Sequence, residues 1–264
     1  MNPANPSKTM TETGKVEFTV NEAGVGTISF FHPSHNSLPG ALLQQLASTI
    51  TQAGTHDQVK VIVLRSEGER TFCAGASFDE LIAIQDKEQG LEFFSGFAKV
   101  INACRTCPKI IISRVQGKAI GGGVGVTAAT DYCFATQFAS VKLSEIAVGI
   151  GPFVVGPAVE RKIGLSAFSQ LALDATEFRS AEWAKEKGLY AEVFETVEEM
   201  DAAVEAFSLK LASYNPDALK ALKEVFWQGT EHWDQLLVER AGISGTLVLS
   251  DFTRTFIQSF KKKV

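Results

Sequence analysis

Nowhere does this sequence run to the roughly 18 to 20 consecutive apolar residues that a membrane-spanning helix needs. Its start carries neither the basic stretch nor the apolar stretch of a secretory leader, so a soluble, cytoplasmic protein is expected. Cysteine is scarce. Four residues, irregularly spaced, are too few to frame a disulfide-stapled domain and suit a reducing compartment. Cys104 and Cys107 form a lone CxxC between a helical run and a strand, without a thioredoxin-like setting, which favours two ordinary thiols over a redox pair. Positive charge is not in excess either. A net charge of -5 opposes a nucleic-acid backbone, although Lys261, Lys262 and Lys263 make a local basic cluster. His32, His35, His56 and His232 form no HxxxH or HExxH array and no GxSxG elbow occurs, so metal-dependent and serine-hydrolase chemistry lack their usual signatures.

What is present is core-forming material, with 45% apolar residues over 264 positions. The first residues are rich in Pro, Asn, Thr and Ser without apolar periodicity and read as a tail. Alternation over Val16 to Val20 and the β-rich Gly26 to Phe31, around the turn-forming Asn21 to Gly24, predict a hairpin. Leu43, Leu46, Ala47 and Ile50 recur at helical spacing, and Val61 to Leu64 is a continuous apolar run typical of a strand covered on both faces. A second such unit runs from a helix over about Gly90 to Ala103, through Ile110 to Ile112, to the Gly-rich turn Gly117 to Gly123 and another helix. Strands alternating with helices imply an α/β fold with a parallel sheet and ligands at the strands' carboxyl ends. From Val155 onward the pattern is nearly all helix. There Trp233, Leu236, Leu237, Arg240, Ala241, Ser244, Leu247 and Val248 form a mostly apolar stripe that must pack on the core or on a neighbouring subunit.

Two segments carry the candidate chemistry. Phe72 to Ala76 follows the first buried strand and precedes a helix-like run from Ser77 to Ile84; Gly117 to Gly123 follows the second. Each is read as placing small residues at a helix N-terminus, where free N–H groups point outward and the dipole favours negative charge. One such turn is weak evidence, and the second lacks both a P-loop ending and a GxGxxG fingerprint. Two together can aim two donors at one developing oxyanion, typically worth about 2.7 to 4 kcal/mol per donor.

FCAGASFDEL resembles the crotonase (enoyl-CoA hydratase/isomerase) pattern FxAGADxxEM, and GKAIGGGVGVTAATDYCFAT resembles GxAxGGGxxLAxxxDxxxA. FFHPSHNSL and EFRSAEWAKEKGLYAEVF are similar to the family's LNRPxxxNAL and RxSAxxAxxxGLVxxV. With residues 1–15 read as the flexible tail, the resemblance implies a ClpP-like ββα spiral core over residues 16–195 and a C-terminal helical trimerisation region over 196–264. It further implies a homotrimer or a hexameric dimer of trimers. The substrate would be an acyl-CoA thioester, with no separate cofactor and no metal. Carried over by position, Ala76 and Gly122 become the two amide donors to a thioester enolate, with Ala74, Gly75, Gly121, Gly125 and Phe153 as substrate-binding residues.

The family's two-carboxylate hydratases keep one Glu after GGGx and a second in PExxxGxxP. Here the second is Glu145, within Leu143 to Gly149, whereas the first position is Gly125. Adding water across a double bond calls for a base and an acid, but moving a double bond needs one group that takes a proton and returns it elsewhere. Double-bond isomerisation with Glu145 as general acid and base is therefore favoured, and Gly149 to Phe153, GIGPF, resembles family members that isomerise 3-enoyl to 2-enoyl thioesters. Hydration by a single Glu stays open, including of branched substrates such as methylglutaconyl-CoA, because the missing side chain at Gly125 would leave room. Acyl-CoA decarboxylation or cleavage, and non-catalytic acyl-CoA binding, are the further alternatives. Asp131 is read as a backbone anchor at a helix-to-strand junction, Asp79 and Glu80 as a solvated helix start, and Cys73 as a packing residue.

Overall fold

A computed structural model describes residues 14–261. β1 (Lys15–Val20) and β2 (Val25–Phe31) form the expected hairpin, after which β3 (Ser37–Leu38) leads into α1 (Gly40–Thr55). The next unit comprises β4 (Val61–Ser66), β5 (Thr71–Cys73), β6 (Gly75–Ala76), α2 (Phe78–Ala83) and α3 (Lys87–Thr106). It is followed by β7 (Ile110–Val115), β8 (Lys118–Ile120) and α4 (Gly122–Ala129). The last full unit is β9 (Tyr132–Thr136), β10 (Val141–Lys142), a 3-10 turn (Ile146–Val148) and α5 (Gly156–Leu173). Then come α6 (Ala181–Glu186), β11 (Glu192–Phe194), α7 (Val197–Ala212), α8 (Pro216–Phe226), α9 (Trp233–Leu247) and α10 (Asp251–Lys261).

The longer strand of each unit joins a six-stranded sheet of order β1-β2-β4-β7-β9-β11, parallel except at the hairpin. The shorter strands turn away into a second sheet, β10-β8-β5, and a β3–β6 pair. This repetition generates the ββα spiral. The apolar run of β4 is buried on both faces because successive side chains point to opposite sides. Ile62 and Leu64 belong to the same buried cluster as Leu46 and Ile50 of α1 and Ile101 of α3, while Val61 and Val63 belong to a second cluster with Met200 and Val204 of α7.

β11 pairs parallel with β9, Glu192 opposite Phe134, as the sheet's outermost strand, and every element after it is helical, as expected. The start of the ordered chain departs from expectation by a residue. Lys15, assigned to the tail, lies in β1 opposite Phe31. Residues 1–13 of that tail lie outside the described residues, as do Lys262 and Lys263.

The α9 stripe packs on its own chain. Trp233, Leu237 and Ala241 are buried in the main core, and α9 crosses α3 so closely that a Cβ on Gly90 would lie 2.7 Å from the Cα of Gly245. Asp131 sits at the junction expected of it: its N–H donates to the Ile111 carbonyl at 2.9 Å and its Oδ2 accepts from the Ile111 N–H at 2.7 Å. Lys223 Nζ (2.8 Å) and Trp227 Nε1 (3.0 Å) donate to the same carboxylate and tie α8 to the sheet. Among the described residues no helix is long and apolar enough to cross a membrane.

Candidate active site

The first amide turn begins with Phe72 and Cys73, both fully buried, and bends at Gly75, whose φ of 91° suits glycine. β6 then lies against β3. The N–H of Ala74 donates to Asn36 O (3.2 Å) and that of Ser77 to Leu38 O (3.1 Å), so these two bonds straddle the amide of Ala76. Ser37 Oγ holds the Ala76 carbonyl at 2.9 Å. Ala76 is thus presented from a strand edge and not from a helix start, contrary to expectation. Ser77, where the family pattern has Asp, is the N-cap of α2, its Oγ accepting from the Glu80 N–H at 3.3 Å.

The second turn ends β8 and opens α4 directly. Gly121, at φ 53° and ψ -116°, donates its N–H to Lys142 O at 2.8 Å, which fixes the turn against β10. Gly122 is the first helical residue, and the first N–H groups of a helix lack intrahelical partners. A Cβ there would lie 2.2 Å from Cζ of Phe97, so any side chain would have to displace that ring. The two turns abut: a Cβ built on Gly75 would stand 3.8 Å from the Gly122 nitrogen.

β10 leads from its pairing with β8 to Glu145, which precedes the 3-10 turn. Oε1 lies 3.0 Å from where a Cβ of Gly121 would be. Parts of the residue are exposed, but Oε2 is shut off from solvent and has no hydrogen-bond partner. Burial pushes the carboxyl up to about 7, with a bond from its own backbone opposing the shift. Near neutral pH both protonation states are therefore populated, as a group that takes and returns a proton requires.

Glu145 shares a cavity of about 450 Å³ with Ala74, Gly75, Ala76, Gly121 and Gly122. Phe93, Phe94 and Phe97 of α3 form one wall, and Val148, Ile150, Val154 and Val155 another. Gly125 and Phe153 are not among the lining residues. A Cβ on Gly125 would lie 2.5 Å from Cγ1 of Val155, so the space expected there is filled. The Phe153 ring packs instead on Gly151, which does line the cavity.

A sequence profile of the enoyl-CoA hydratase/isomerase family matches residues 20–246. The chain belongs to that family. Its similarity to bacillaene synthase dehydratase PksH of Bacillus subtilis is 31% identity over 225 residues, covering 84% of this chain and 82% of the relative. Human mitochondrial methylglutaconyl-CoA hydratase is 32% identical over 201 residues, covering 74% of this chain but only 58% of that longer protein. The crystal structure of an enoyl-CoA hydratase from Mycobacterium avium superposes with a TM-score of 0.83 at 26% identity, covering 94% of this chain and 96% of that one. The spiral of ββα units with C-terminal helices is thus the crotonase fold.

Within this family member, the side chains of Glu80 and Cys73 stay out of the cavity. Glu80 Oε2 accepts from the Gly40 N–H at 2.8 Å and so caps α1 where a solvated role was expected. Cys73 lies under the first turn, and burial raises its thiol to about 12, which keeps it unreactive. Cys104, of the CxxC, is likewise pushed up to about 12 by burial. Among the described residues no cluster of three or more His, Cys, Asp or Glu could hold a metal.

Sequence reasoning missed Asn36 and Phe97. Asn36 is buried at φ 57°, its Nδ2 donating to Glu67 O (2.8 Å) and Thr71 O (2.9 Å) and its Oδ1 accepting from the His32 N–H (2.8 Å). It pins the loop against which the first amide turn is built. Asn tolerates positive φ better than most residues, which was the available signal. Phe97, reading as one core position among many, gave none.

Proposed function

We propose that the protein moves the double bond of an enoyl-CoA thioester from C3 to C2 through an enolate. Glu145 takes the C2 proton, the C2–H electron pair passes into the thioester, and the N–H groups of Ala76 and Gly122 receive the charge that builds on the carbonyl oxygen. The protonated Glu145 then delivers the proton at C4 as the electrons return to form the C2–C3 double bond, so atoms and charge balance. The observation that carries this reading is that Glu145 is the one titratable side chain lining the cavity among the described residues, and that burial sets it near 7. Val155, occupying the space beside Gly125, supports isomerisation over a hydration that uses two carboxylates. The filled space also removes the steric motive for a branched acyl group. Assembly as a homotrimer or hexamer belongs to the same proposal.

The test is deuterium incorporation from heavy water into C2 and C4 of a 3-enoyl-CoA. Exchange and isomerisation should both collapse, by at least about 100-fold, in Glu145→Gln, the scale usual for loss of a positioned acid or base. Unchanged exchange in that variant would refute the assignment. Faster release of 3-hydroxyacyl-CoA from a 2-enoyl-CoA than isomerisation of the 3-enoyl compound would make the protein a single-carboxylate hydratase instead.

A further inference from the structure

We infer that the acyl group accepted by this cavity is an uncharged hydrocarbon chain, and that acyl groups carrying a second carboxylate at their far end are rejected. This rests on the thioester reading above and concerns the part of the cavity beyond the reacting carbons. Phe78, Leu81, Phe93, Phe94, Val148 and Ile150 make the cavity's lining largely apolar. Among the described lining residues there is no lysine, arginine or histidine. Apart from Glu145, the polar side chains are serine hydroxyls, and that of Ser37 already donates to the Ala76 carbonyl at 2.9 Å.

An alkyl chain entering such a cavity exchanges water for apolar contact. A terminal carboxylate would lose its hydration without meeting a cation, and a neutral hydroxyl does not replace the lost charge stabilisation. A second effect falls on the chemistry. The carboxyl of Glu145 is already held up by the same dry surroundings, and another negative charge in the cavity would disfavour its base form further. A carboxylated chain is therefore penalised in binding and again in removal of the C2 proton.

The decisive comparison uses the native full chain and two saturated thioesters of equal length, the CoA esters of hexanoic and of adipic acid. They differ only at the far carbon and cannot isomerise, so their affinities report the cavity without catalysis. Titration calorimetry should give the hexanoyl ester an affinity at least about 100-fold tighter, since desolvating an unpaired charge costs several-fold the free energy of one tenfold step. Phe94→Arg should narrow the gap by placing a cation in the wall. Equal affinities, or tighter binding of the adipoyl ester, would overturn the inference. The isomerase reading would still stand if solvent exchange on a 3-enoyl-CoA collapsed in Glu145→Gln. Failure of the protein to bind either ester would instead defeat the thioester reading, and this inference with it.

Discussion

The proton affinity of Glu145 follows from where its backbone goes. β10 delivers the residue beside Gly121, the apolar wall closes over the carboxyl, and Oε2 is left without a donor. The same burial that raises the carboxyl costs stability when it is ionised. Its carboxyl in the folded protein lies at about 7, above the ordinary 4.5, so between those values the folded chain holds a proton that the unfolded chain has released. The stability linked to that proton is fully present below pH 4.5 and is lost as pH rises through about 7. At 1.36 kcal/mol per unit, the loss is of order 3 kcal/mol. Glu145→Gln, which cannot ionise, should therefore be more stable than the native protein above pH 7, by up to about 3 kcal/mol, with the difference shrinking to nothing towards pH 4.5. Urea unfolding across that range measures it; a variant with the same offset at every pH would show that burial does not set the affinity. For the proposed isomerisation, kcat/KM should rise with pH through about 7 as the base form accumulates.

At the scale of the element, α4 is where the sequence's glycines become geometry. All eight of its residues are buried, and it is packed through bare backbone: Gly122 against Phe97, Gly123 against Cys73, Gly125 against Val155. Restoring a carboxylate at the position where two-carboxylate relatives carry one is therefore not a local change. Gly125→Glu should destabilise the protein by about 1 to 3 kcal/mol from overpacking alone, and more from burying an unpaired charge. Val155→Ala in the same chain should recover part of the loss by opening the space into which the new side chain points. If thermal unfolding shows Gly125→Glu as stable as the native chain, Val155 is not the constraint described. The glycines of this helix were legible in the sequence as a motif, but the reason each is needed was not, because Phe97, Cys73 and Val155 come from other elements. Much the same holds elsewhere. The run Val61 to Leu64 announced β4 by its length and apolarity, whereas β6 and β10, of two residues each, are too short to show a period of two. Ala76 was accordingly assigned to a helix start when it lies on one of those short strands. Asp131 could be read as an anchor from its place at a junction, but Lys223 and Trp227 reach it from 92 and 96 residues away.

Over the whole molecule, the C-terminal helices do two different things. The inward side of α8 is fastened by Lys223 to Asp131, a buried pair in which neither charge lacks a partner. Its outward side presents Leu222, Val225 and Phe226, which share one face at helical spacing and are 46%, 63% and 45% exposed. Isolated exposed apolar residues are ordinary, but three adjoining on one helix face form a surface that association would remove from water. The proposed trimer gives that surface a use. Light scattering should then return a mass of three or six times the 28.5 kDa of one chain. Val225→Glu, which puts a charge in the middle of the face without touching Lys223 or Trp227, should shift the protein towards one chain while leaving its circular dichroism unchanged. A native protein that scatters as a single chain would sink the trimer. A native trimer indifferent to Val225→Glu would move the contact to another surface, such as that around Leu165 and Leu173 of α5, which are 65% and 78% exposed.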